Sequence, residues 1–111
     1  MAGQIQNKRG GIEVQVEVGI LKEGKQYVAY CPALELSGYG DSIKDAKKSF
    51  ETVMAIFLED TSKKGTLEKI LVSLGWTLKR SDYKPPKKVS YETLVALKSL
   101  EYISQKVHIP A

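Results

Sequence analysis

The chain has 111 residues, 42% of them hydrophobic and 27% charged, which suits one modest folded domain and excludes a disordered chain. Net charge is +4, from 17 Lys and Arg against 13 Asp and Glu, so only a weak general attraction to polyanions is expected. Cys31 is the single cysteine, which excludes an intramolecular disulfide. The N-terminal MAGQIQNKRGG lacks a signal-peptide core and no apolar run nears the roughly 20 residues of a membrane span, so a cytoplasmic protein off the membrane is expected.

Taken in chain order, Ile12, Val14, Val16, Val18 and Ile20 alternate with Glu13, Gln15, Glu17 and Gly19, the period of a strand with one buried and one wet face. Lys22 to Lys25 form a polar turn, and Tyr27 to Cys31 read as the return strand of a hairpin. Pro32, with no amide hydrogen, ends the pairing. Leu34, Leu36 and Tyr39 predict a short third strand interrupted by Gly38 and Gly40, read as sites of dihedral freedom.

A helix is predicted directly afterwards. Asp41 or Ser42 supplies its cap, Gly40 its tight approach, and Asp45 a negative charge near the positive end of the helix dipole. Ile43, Ala46, Phe50, Val53, Met54, Phe57 and Leu58 recur at spacings of three and four, an apolar stripe able to cover the sheet. Gly65 ends that helix; Leu67, Ile70, Leu71 and Leu74 mark a shorter one closed by Gly75. Trp76 to Leu78 read as the last strand.

Residues 80–89 read as a Pro/Lys spacer, stiffened by Pro85 and Pro86, between a domain over 1–79 and a helical extension over 90–111. Five bases (Lys79, Arg80, Lys84, Lys87 and Lys88) crowd residues 79–88. A weak nucleic-acid contact is the alternative to a solvated linker there; the linker is favoured because basic patches that read nucleic acid usually come with stacking aromatics or a recognition helix. Ser90 to Val107 is expected to be helical from its residue types, with Tyr91, Leu94, Val95 and Tyr102 on one side. Leu97, Leu100, Ile103 and Val107 fall on the other, a face able to bury against a second copy in a homodimer or higher oligomer, or against another part of the same fold.

Catalytic patterns are sparse. Glu13, Glu17, Asp41 and Asp45 supply four carboxylates, but capping explains the second pair and solvation the first, so no metal site, cofactor or enzymatic activity is expected. Gly38-Tyr39-Gly40 lacks the third glycine of a dinucleotide fingerprint and the lysine of a P-loop. His108 lies near the end of the sequence, and Cys31 ends a strand, where a buried thiol acts as a small apolar group.

The run Tyr27-x-Ala29-x-Cys31-Pro32-x-Leu34-x-Leu36, followed by Gly40-Asp41-Ser42-x-x-Asp45-Ala46, resembles the HicB family, the antitoxin halves of HicA/HicB toxin-antitoxin pairs. Ser42 stands for the family's threonine and Asp45 for its glutamate. The resemblance covers about residues 12 to 78. It implies an α+β fold: a truncated ribonuclease H-like antiparallel sheet of three to four strands backed by helices, here with an extra C-terminal helix. It also implies a non-catalytic role, binding and occluding a small HicA-like ribonuclease toxin. Many family members carry a helix-turn-helix or ribbon-helix-helix segment for operator DNA. The thirty or so residues after Leu78 read as a Pro-Pro spacer and one helix, too little for either motif, so DNA binding is not expected. For toxin binding the polar strand face of Glu13, Gln15 and Glu17 is the expected surface, since a ribonuclease that grips RNA presents positive charge. An orphan interaction or oligomerisation module on the same scaffold is the alternative.

Overall fold

The computed structural model describes residues 4–6, 11–80 and 82–110. Elements follow in the order β1 (Gln4–Gln6), β2 (Ile12–Glu23), β3 (Gln26–Cys31), β4 (Leu36–Gly40), α1 (Ile43–Lys64), α2 (Leu67–Ser73), β5 (Thr77–Lys79), β6 (Asp82–Lys84), α3 (Lys87–Ala96) and β7 (Glu101–Ile109). The architecture is α+β, with an antiparallel sheet and helices packed against it. No helix among the described residues is long and apolar enough to cross a membrane.

β2 is the spine of the sheet. One edge pairs with β7 from Ile12↔Ile109 to Ile20↔Glu101. The other edge takes β1 against Ile12 to Val14 and, further along, β3 against Gly19 to Glu23. β3 in turn pairs with β4, so the long strands run β7-β2-β3-β4. The period-2 pattern of β2 sends Ile12, Val14, Val16, Val18 and Ile20 into the core, each no more than 3% exposed. They meet Ala46, Phe50, Met54 and Leu58 of α1 and Leu71 of α2 within one apolar cluster. At about 25 cal/mol per Å² of apolar surface removed from water, burial of these side chains is the main favourable contribution to folding.

α1 starts at Ser42, whose Oγ accepts from the Asp45 amide at 3.1 Å and whose carbonyl accepts from the Ala46 amide at 3.0 Å. Its end is set by Gly65 at φ 68°, whose amide donates to the Ser62 carbonyl while Thr66 donates to Thr61. Gly38 and Gly40 serve a purpose other than dihedral freedom. Neither is among the positive-φ residues; instead α1 crosses so close to β4 that a β-carbon on Gly40 would stand 2.6 Å from the Ala46 nitrogen.

Three expectations need correction. First, Leu34 belongs to the turn after Pro32, and the third strand starts at Leu36. Second, Thr77–Lys79 does not close the main sheet but pairs with Asp82–Lys84 in a separate ribbon. The stretch read as a spacer is therefore structured, and Tyr83 from its middle is only 6% exposed in the core. Third, the C-terminal helix stops at Ala96 and the chain returns as β7, whose Val107 and Ile109 are buried on β2. Leu97, Leu100, Ile103 and Val107 consequently share no helix face: Leu97 ends the helix, Leu100 lies in the turn, and the last two sit on a strand.

The helix ends without a glycine or proline. Lys98 adopts φ 57°, the Ser99 amide and Oγ both donate to the Leu94 carbonyl, and the Leu100 amide donates to the Ile20 carbonyl at 2.7 Å. That last bond hands the chain directly to the edge of β2.

Candidate partner-binding surface

α1 covers one face of the sheet. α3 covers only part of the other, where Leu94, fully buried, fills the space beside Gly19. The remainder of that second face is wet. Glu13, Gln15 and Glu17 lie on it in a row along β2, Gln15 exposed and the two glutamates half-buried. Pairing brings Ser104, Lys106 and His108 of β7 alongside, in register with Glu17, Gln15 and Glu13 respectively.

This neighbour strand changes the chemistry of the expected surface. Ser104 Oγ donates to Gln15 Oε1 at 3.0 Å and also lies 3.5 Å from Glu17 Oε2, so it links the two side chains. Lys106 stands beside Gln15, between the rows of the two glutamates, so the surface carries mixed rather than purely acidic charge. The residue types over 90–107 favour helix, which hides Ser104 and Lys106 as neighbours of this row. The available signal was the alternation of Ile103, Val107 and Ile109 with Ser104, Lys106 and His108, interrupted only by Gln105.

Across β3 and β4 the same face is mixed: Val28 is buried, Tyr30 and Ser37 half-buried, and Tyr39 exposed. Tyr30, in register with Gly19 and Ser37, has its phenol pushed up from the usual value, chiefly by burial and then by Glu35 and Cys31. Cys31 itself is completely buried, and loss of solvation drives its thiol up to about 11. A protonated buried thiol is neither a nucleophile nor a metal ligand in that state.

The other candidate residues lie apart. Asp41 and Asp45 stand at the start of α1, Asp45 in its first turn, away from the wet row of Glu13 and Glu17. Among the described residues no three His, Cys, Asp or Glu side chains gather where they would hold a metal ion. The basic window is spread over the β5–β6 ribbon and the start of α3, with Lys84 paired to Asp82 at 3.6 Å. Its one aromatic, Tyr83, donates its hydroxyl to Glu68 Oε2 at 2.8 Å and is buried, so it offers no platform for stacking a base.

A shallow cavity of about 380 Å³ lies where α1 meets α2, lined by residues that include Thr61, Ser62, Glu68 and Tyr83. No protein-family model, curated protein or solved structure matches this chain.

Proposed function

We propose that the protein is a non-catalytic, HicB-like antitoxin of truncated ribonuclease H-like fold. In this reading it acts in the cytoplasm, binding and occluding a small, basic, HicA-like ribonuclease. The observation that carries the reading is the wet row of Glu13, Gln15 and Glu17, held in place by β7 and left open by α3. Further support comes from the junction of β4 and α1. There the Gly40-Asp41-Ser42-x-x-Asp45-Ala46 motif forms a serine-capped helix start pressed against the sheet.

The mechanism is steric and electrostatic. Carboxylates on a rigid strand occupy the positions that RNA phosphates take on a cationic surface, and the sheet then excludes the substrate. Ser104 holds Gln15 and Glu17, so less side-chain freedom is lost at those two positions on binding.

Co-expression with the product of the adjacent small reading frame tests the proposal through growth rescue and co-purification. Rescue with a stable complex is the expected outcome, and Glu13→Lys with Glu17→Lys should weaken that complex at least tenfold. A complex indifferent to both substitutions overturns this choice of surface. Failure to rescue or to co-purify overturns the antitoxin reading.

A further inference from the structure

The two long outer strands of the sheet, β4 and β7, are treated differently. At the β4 edge, α1 packs on the strand and Ser49 Oγ accepts a hydrogen bond from the Tyr39 amide at 3.1 Å, so that edge is partly occupied. The β7 edge is nine residues long, and among the described residues no strand pairs with its outer side. Long edges of this kind carry a row of unused donors and acceptors and are templates for pairing with another chain. Exposed apolar side chains gather at its start: Leu100 is 60% exposed and Tyr102 44%, and Tyr102 packs on Tyr91 of α3 with ring centroids 5.7 Å apart.

We infer that β7 pairs antiparallel with β7 of a second copy, about a twofold axis at Gln105, so that two sheets join into one. The choice of occupant rests on self-complementarity. A twofold axis normal to the sheet keeps each face on its own side, so only registers centred on a residue are allowed. Centring on Gln105 sets Ile103 opposite Val107 of the other copy. It thereby extends the apolar row Val18–Ile103 into the partner's Val107–Val14, with the half-buried Ile103 closed off from water. On the wet face the same register sets Lys106 opposite the small Ser104 of the second copy. Beyond that serine lies Glu17, Ser104's partner in β2, so each lysine faces an acidic side chain across the join.

Centring on Ser104 instead would set Ile103 against Gln105 and Tyr102 against Lys106, losing both matches. The Gln105 pair itself would lie on the axis, where a polar side chain between apolar neighbours fixes register. The inference needs no toxin: its main-chain pairing uses the outer edge of β7, opposite the one bonded to β2, and its test reads the association of this chain alone.

Cysteine scanning of the full chain tests it. Residues on the axis would have α-carbons about 5 Å apart, within reach of a disulfide. Copies of Ser104 or of Lys106 would be about 8 Å apart, beyond that reach. Mass measurement at tens of micromolar should give twice the 12.3 kDa chain mass. Gln105→Cys should form a covalent dimer without reductant, while Ser104→Cys and Lys106→Cys should not. Ile103→Lys should return the chain to a monomer. A monomeric wild type, or a dimer in which Gln105→Cys crosslinks no better than its neighbours, overturns the inference.

Discussion

Gly38 and Phe50 meet backbone to backbone: a β-carbon on Gly38 would stand 2.6 Å from the Phe50 α-carbon and closer still to its amide nitrogen. That contact sets how near α1 approaches β4, and so how the cap at Ser42 and the buried Phe50 are positioned. Because the obstacle is helix backbone, it cannot rotate away as a side chain would. Gly38→Ala should therefore cost about 3 kcal/mol, the upper end of ordinary overpacking. Urea denaturation of the variant measures this, and a loss under 1 kcal/mol would mean that α1 shifts freely on the sheet.

Trp76 is tied to a distant turn. Its Nε1 donates to the Ala33 carbonyl at 2.8 Å in a buried setting, linking the chain just before β5 to the corner after Cys31. Trp76→Phe leaves that carbonyl buried without its partner, a loss of about 1–3 kcal/mol. Thermal or urea unfolding of the variant checks the magnitude. A neutral result would mean that water reaches Ala33.

The C-terminal third shows where the sequence was legible and where it was not. β2 announced itself through strict alternation, and α1 through its stripe and its cap, since each buries a single face and the pattern records which one. The helix-to-strand switch at 97–101 carries no such mark. Lys98 takes a left-handed conformation that glycine ordinarily supplies, and the stop is made by Ser99 bonding back to the Leu94 carbonyl, contacts that composition does not reveal. Read as one helix, residues 90–107 split their apolar positions between two faces. Read as a helix then a strand, Leu94 meets Gly19, and Val107 and Ile109 meet the core. The glutamate row was legible, but the strand beside it was not.

Lys98 itself supplies a test of that account. An exposed non-glycine residue at φ 57° bears a cost of about 1–2 kcal/mol from its β-carbon. Glycine removes this cost but gives back about 0.4–1 kcal/mol through the greater freedom of the unfolded chain. Lys98→Gly should thus stabilise the fold by about 0.5 kcal/mol, read from the urea midpoint. Destabilisation beyond 1 kcal/mol would show that the lysine side chain contributes packing of its own.

Stability should also fall on the alkaline side, for a definite reason. Burial pushes the Cys31 thiol up from 9.0 to about 11. Burial, with the hydrogen bond to Glu68 and its charge, pushes the Tyr83 phenol up from 10.0 to about 12. Both groups are neutral in the fold, so in strong base the unfolded chain releases these protons first and gains the advantage. Their contribution is complete below about pH 9, declines for Cys31 between 9 and 11 and for Tyr83 between 10 and 12, and is gone above that. Each titrating group steepens the fall by at most about 1.4 kcal/mol per pH unit. Urea midpoints taken at pH 8, 10 and 11.5 should drop progressively, and Tyr83→Phe should flatten the part of the fall above pH 10. A wild type whose midpoint stays level to pH 11.5 would mean that both groups ionise in the folded protein as they do in water.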